Sequence, residues 1–170
     1  MTQIITERLI LRRPQASDLD ALYALIEDAE TRRFLGSAEP SRAREFTRML
    51  QKAGSWSLYG YGTFIVIAKA SGLMIGTCGV FHSYRGLGDD FDDMPEAGWI
   101  IARNHWGLGY AREAMDAALH WFDAEHGPQT IVAMIQTGNS ASVSLAKSLG
   151  FTFTRTALLE QSEMRLFHRT

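Results

Sequence analysis

The sequence has one cysteine, no apolar run long enough to cross a bilayer and no surplus of positive charge. A lone Cys78 excludes an internal disulfide framework and fits a reducing compartment. No apolar run approaches the roughly 20 residues that a bilayer requires. The opening Met1-Thr2-Gln3-Ile4-Ile5-Thr6-Glu7-Arg8 lacks a basic segment followed by a long apolar stretch, so no secretory leader is expected. A cytoplasmic protein that engages no membrane is the expectation. The formal net charge of -2 argues against a general nucleic-acid binder, which is usually basic. The five histidines show no metal-ligand spacing, so no metal is expected. What is present suits a packed domain: 46% hydrophobic, 11% aromatic and 21% charged residues in a chain of 170.

Hydrophobic periodicity orders the elements. Thr6 to Arg13 reads as a strand, stopped by Pro14. Ser17-Asp18-Leu19-Asp20 resembles a capping box, opening a helix with Leu19, Leu22, Tyr23 and Ile26 on its apolar face. A second helix is expected after Pro40-Ser41, with Ala43, Phe46, Met49, Leu50 and Ala53 on one side and Gly54 as terminator. Tyr61–Lys69 and Leu73–His82 read as a hairpin around Ala70-Ser71-Gly72. Ser83–Pro95, with two glycines and four aspartates, reads as a loop. Ala97–Arg103 is a strand candidate. A long helix from about Gly109 to His126 follows, its apolar residues Ala111, Ala114, Met115, Ala118, Leu119 and Phe122 in helical spacing. Thr130–Gln136 reads as a strand, and Asn139 or Ser140 caps a shorter helix that ends at Leu149-Gly150. Phe151–Leu158 and Met164–His168 close as strands. There is no repeat, low-complexity tract or linker. The pattern is a single α/β (α+β) domain over 1–170, about seven strands with about four helices, in a mixed sheet.

The most informative stretch runs from Gly98 to Ala114, where a strand passes through a glycine-bearing loop into the long helix. Glycine lets the backbone approach a ligand closely, and a helix N-terminus adds free N–H donors and partial positive charge. Together they suit a phosphate or pyrophosphate. A plain tight turn would explain the glycines equally well. A dinucleotide fingerprint needs a third glycine where Arg112 stands, and no Gly-Lys-Ser/Thr follows to make a P-loop.

At these residues the chain resembles the GNAT superfamily of N-acetyltransferases, and within it the branch of ribosomal-protein N-terminal acetyltransferases. Thr6-Glu7-Arg8-Leu9-Ile10-Leu11-Arg12 is similar to that branch's opening strand, with Asp18 in the helix after it. Ile75-Gly76 and Glu96-Ala97-Gly98-Trp99 resemble its third and fourth strands. Trp106-Gly107-Leu108-Gly109-Tyr110-Ala111 resembles the coenzyme A signature, with Trp106 where Gln or Arg is common. Asn139-Ser140-Ala141-Ser142 and Leu149-Gly150-Phe151 are similar to the last helix and its exit.

The resemblance implies a mostly antiparallel sheet whose central strands splay apart, with acetyl-coenzyme A as cosubstrate. It implies that the pantetheine arm pairs with main chain around Ile101 and Arg103. The pyrophosphate would rest on the N–H groups of Trp106, Gly107, Leu108, Gly109, Tyr110 and Ala111, and Asn139 would bond the pantetheine region. The implied reaction is acetyl transfer to a primary amine, either a protein N-terminus or a small molecule, by a monomer or homodimer. Glu96 matches the family's carboxylate and is the candidate base, directly or through a water; an exposed strand-end carboxylate is the plainer role. Ala146 stands where many members carry a tyrosine, so that role does not carry over; Ser142 matches a serine of this branch and could donate to the leaving thiolate instead, its plainer role being a local hydrogen bond. His82 and His105 are further candidate bases. Cys78 reads as core, and Trp56, Tyr59 and Tyr61 could line the acceptor side or simply pack. Asp89-Asp90-Phe91-Asp92-Asp93 could draw in a cationic amine or be a solvated loop. Two other functions stay open: a non-catalytic acyl-coenzyme A-binding or regulatory domain, and a nucleotide-binding protein.

Overall fold

A computed structural model describes residues 2–36 and 38–170. One eight-stranded sheet carries the molecule, in the order β1-β2-β3-β4-β5-β6-β8-β7. Its strands are β1 (Gln3–Ile5), β2 (Leu9–Arg12), β3 (Thr63–Ala68), β4 (Met74–Ser83), β5 (Met94–Ile101), β6 (Ile131–Gln136), β7 (Thr152–Leu159) and β8 (Ser162–Arg169). Every pairing is antiparallel except β5 with β6. The mixed, mostly antiparallel sheet expected from the sequence is present. The strand that the pattern missed is β1, three residues folded back on β2 by a turn in which the Thr6 N–H donates to the Leu9 carbonyl.

Five helices cover the sheet: α1 (Leu19–Glu27), α2 (Ala29–Arg32), α3 (Arg42–Tyr59), α4 (Tyr110–His126) and α5 (Ser140–Ser148). The four-residue α2 was not expected; it is too short to carry a periodic signal. On one face, α4 and α5 press Ala114, Met115, Ala118, Leu119, Phe122 and Ala146 against Leu9, Leu11, Phe64, Val66, Cys78, Val80 and Ala133. On the other, α1 and α3 cover Ile65 with Leu22 and Met49, while the loop after β4 inserts Phe91 between Val132 and Leu166.

Two helices depart from their expected design. Asp18 closes the first capping box with Gln15, not Ser17: its Oδ2 accepts the Gln15 N–H at 2.7 Å, and both its oxygens accept from Arg12. Ser41 caps α3 as expected, but the helix runs through Gly54 and stops at Gly60, whose φ of 78° is left-handed. One glycine inside a helix costs only about 1 kcal/mol against alanine, too little to end it. The expected apolar stripe is also rotated. Of its five residues only Met49 is buried; Phe46 and Leu50 are about half exposed, and Glu45, Ser55 and Trp56 face inward with it.

Candidate active site

Strands β5 and β6 are paired only at Glu96–Val132 and Ala97–Ala133. Beyond these, β5 stays with β4 as far as Ile101, and β6 stays with β8 as far as Gln136. The two therefore part company while each remains anchored on its outer side. Antiparallel pairing uses alternate residues toward a given neighbour. The bond from the Ala102 N–H to the Ile75 carbonyl sets the phase, so the main-chain groups of Trp99 and Ile101 point into the opening. This is the splay that the resemblance implied.

The loop at the wide end leaves a run of main-chain N–H groups without partners among the described residues. Gly107 and Gly109 hold φ of 72° and 79°, a left-handed backbone that side chains disfavour. Gly109 caps α4 without a side-chain bond. Among the described residues, the N–H groups from Gly107 to Arg112 find no acceptor within the protein. A row of unspent amides at the positive end of a 17-residue helix fits a pyrophosphate. Leu108, Tyr110 and Ala111 stand in this loop with their N–H groups free, but Trp106 is a correction: its N–H, expected to face the pyrophosphate, donates to the Arg103 carbonyl at 3.0 Å. The Trp106 indole closes the near side by donating to the Ile101 carbonyl at 2.6 Å.

Arg103 requires a correction. It lies in a 3₁₀ turn, not in the strand; its N–H donates to Thr31 Oγ1 at 3.1 Å and its carbonyl accepts from the Trp106 N–H. Its main chain is spent, so an added strand would pair at Trp99 and Ile101. At the opposite wall Asn139 caps α5, its Oδ1 accepting the Ser142 N–H at 3.1 Å. Its amide NH2 remains a donor. Ser142 Oγ accepts from Trp99 Nε1 at 3.3 Å, which ties α5 to β5 and leaves the hydroxyl proton free to point elsewhere.

Glu96 sits at the apex of the opening, only 3% exposed, not at a solvated strand end. Arg85 holds it in a two-point ion pair, Nε to Oε2 at 2.6 Å and Nη2 to Oε1 at 2.8 Å. Each carboxylate oxygen keeps a second lone pair for a water or an amine. Beside this pair a cleft of about 280 Å³ runs between α1, α3 and β4–β5, lined in part by Thr77, Arg85 and Ile100.

Several other candidates lie elsewhere. His82 faces Tyr61 and Asp93, bonding them at 2.8 and 2.9 Å, and stacks on Tyr59. Tyr61 in turn packs on Phe122 and His126 at the C-terminal end of α4, so His82 is removed from the loop at the other end of that helix. Trp56 and Tyr61 are core residues, and burial pushes the Tyr61 hydroxyl up to about 12. Burial alone pushes the Cys78 thiol far up, which denies it the thiolate a covalent route needs. Three of the four aspartates in the run have partners within the protein. Asp90 binds Arg155, Asp92 accepts the N–H groups of Arg85, Gly86 and Gly88, and Asp93 meets His82. His105 stays beside the anion loop, its ring 5.9 Å from that of Tyr110.

Two site residues escaped the sequence reading. Arg85 was read as part of a loop. Arg8 was read as part of a strand, but its guanidinium donates to Glu113 at 2.6 Å and to the Leu108 carbonyl at 2.8 Å, lies over the Tyr110 ring and borders Gly109. The pair exists only in space: Arg8 and Glu113 are 105 positions apart.

Comparison with known proteins agrees with this geometry. Residues 8–152 match the model of the acetyltransferase (GNAT) domain. The chain is 30% identical over 152 residues to the uncharacterized N-acetyltransferase p20 of Bacillus licheniformis, covering 89% of this chain and 83% of that one. A protein described as a GnaT-family acetyltransferase from Bordetella pertussis superposes with a TM-score of 0.91 at 30% identity, over the whole of both chains. The fold alone is shared with RimL, a ribosomal L7/L12 alpha-N-protein acetyltransferase solved in complex with coenzyme A: TM-score 0.75, 15% identity, 98% of this chain and 96% of that one. Open strands, unspent amides and sequence thus lead to one place, and the chain belongs to the GNAT acetyltransferase family.

Proposed function

We propose that this protein transfers an acetyl group from acetyl-coenzyme A to a primary amine by direct attack. The observation that carries the reading is the β5–β6 opening, which leads from the buried Glu96 to the row of free amides at Gly107–Arg112. The pantetheine arm pairs with Trp99 and Ile101, its diphosphate rests on the amide row, and Asn139 donates to the arm from the other wall. The guanidinium of Arg8 supports that row from beside Gly109.

The amine nitrogen forms a bond to the thioester carbonyl carbon, whose C=O electrons move onto oxygen; when that oxyanion collapses, the carbon–sulfur bond breaks and the thiolate leaves. The proton lost by the amine goes to Glu96, directly or through a water. Ser142 points its free hydroxyl proton at the departing thiolate, because its lone pair, not its proton, meets Trp99; as it passes that proton on it regains one from solvent water, so the hydroxyl is restored. A strand N–H near Ile101 holds the transient oxyanion. An α-amine, with a pKa near 7.7–8.0 against about 10.4 for a lysine, needs less help to reach the reactive form.

Calorimetric titration with acetyl-coenzyme A and a thiol-release assay against mixed amines test the reading together. Binding with amine-dependent thiol release supports it. Binding without release under every acceptor favours a non-catalytic acyl-coenzyme A domain, a role that the buried Ala146 in place of a phenol also suits. Gly109→Asp puts a carboxylate among the amides and should remove binding while the fold persists.

A further inference from the structure

The cleft beside Glu96 is cationic. Arg48 and Lys52 of α3 and Arg85 of the loop after β4 line it, opposed by Glu45 and, behind Arg85, by Glu96. Cations exceed carboxylates here, although the chain as a whole is net negative. The neighbouring rim adds Arg32 and Arg44 against one carboxylate, Glu39, which stands 3.8 Å from Arg32.

These cations keep unspent donors. Arg85 gives Glu96 only the Nε–Nη2 edge of its guanidinium; the Nη1–Nη2 edge has no acceptor among the described residues. Lys52 Nζ makes one bond, to Glu45 at 3.3 Å, and Arg48 stands 3.8 Å from the same carboxylate without a hydrogen bond. The Lys52 ammonium is also short of solvent: burial lowers its pKa despite the pull of Glu45. An apolar wall, Leu22, Leu25 and Ile26, faces them. A guanidinium edge and an ammonium converge best on a carboxylate. A polyamine would set cation against cation, a juxtaposition that such a wall disfavours.

We propose that the acceptor is a small amino-carboxylate, such as an amino acid, whose carboxylate is held by Arg85, Lys52 and Arg48 while its amine turns toward Glu96. This rests on the acetyl-transfer reading above. The hydrocarbon part of the acceptor lies on the α1 wall.

Matched acceptors test it: an amino acid, its carboxamide and its decarboxylated amine, each followed by thiol release with the full-length chain. The amino acid is expected to exceed the other two at least tenfold in kcat/KM. Arg48→Gln, at an exposed position that leaves Glu45 paired with Lys52, should raise KM for the amino acid and leave the carboxamide unchanged. Lys52→Met should do so more strongly, with circular dichroism confirming that it folds. Equal or better turnover of the two uncharged-tail amines overturns the carboxylate subsite and leaves acetyl transfer standing. No release with any amine overturns acetyl transfer instead, and binding of the N-acetyl amino acid against its carboxamide, read by NMR, then decides the subsite. Selective binding of the carboxylate, weakened in Arg48→Gln, upholds it; equal or absent binding overturns it.

Discussion

Helices cover both faces of one sheet, yet the two interiors differ in kind. Under α4 and α5 the buried side chains form a continuous apolar cluster from Leu9 to Phe167. Under α1 and α3 the buried set includes Asp18, Glu45, Thr77 and Glu96, each close to a cation or a strand. Burying a charge is costly unless it is paired, so the second face gives up stability that an apolar core would supply. It gains a shaped polar cleft beside the opening between β5 and β6. The dry face holds the strands rigid while the charged face is free to be chemical.

Breaking the dry face should have the largest effect. Phe122 is fully buried, with Tyr61 edge-on at 5.0 Å. Phe122→Ala should cost about 3–5 kcal/mol, read as a lower midpoint in chemical denaturation. A loss under 1 kcal/mol would mean that this interior is not the main support. Glu45→Leu is the counterpart on the charged face. It strands Lys52 and should cost about 1–3 kcal/mol, less than a fully buried pair because Lys52 retains some solvent. Adding Lys52→Met should recover most of that stability while abolishing discrimination among acceptors. If the double variant is as unstable as the single one, the charged face is structural after all.

The same contrast explains what the sequence disclosed. The dry face was legible because α4 spaces Ala111 to Phe122 as an apolar helix and β3 is a plain apolar run. The amide loop was legible through the resemblance carried by Trp106 to Ala111, because its glycines alone would suit a tight turn equally well. Helix α3 misled because its inward face is polar: Glu45 is buried and takes the half-buried Lys52, two turns on, as its partner, while Phe46 and Leu50 remain at the surface. Hydrophobic pattern alone turns such a helix the wrong way. The Arg85–Glu96 and Arg8–Glu113 pairs were invisible for another reason. They form only when distant segments meet, and a single sequence carries no record of that meeting.

Acid should weaken both faces, because each holds a carboxyl lowered by its partners. Burial pushes the Glu113 carboxyl up, but hydrogen bonds from Thr6 and Arg8 and the Arg8 charge outweigh it and leave it below the usual carboxylate range. Asp18 is likewise raised by burial and lowered, in net, by Arg12 and the Gln15 N–H. A carboxyl depressed on folding contributes stability above its unfolded value, near pH 4, and loses it as the pH falls through the folded value. Stability should therefore drop below about pH 4, by on the order of 1 kcal/mol for the Asp18 site. Asp18→Asn should be less stable at pH 7 and show a flatter acid limb. An acid limb unchanged in that variant would place the sensitivity elsewhere.

The smallest effects should come from the groups that touch the reaction without supporting the fold. Ser142 is exposed enough to leave no cavity, and its hydroxyl makes one bond, from Trp99. Ser142→Ala should change stability by less than about 1 kcal/mol. Its effect should fall on kcat, by about tenfold to a hundredfold, with coenzyme A affinity retained. Trp99→Phe keeps the ring and removes only the indole N–H. If Ser142 acts as the proton donor, Trp99→Phe should lower kcat less than Ser142→Ala does, because the hydroxyl proton survives. If the two variants are equally impaired, Ser142 serves only to fasten α5 to β5, and the thiolate takes its proton from water.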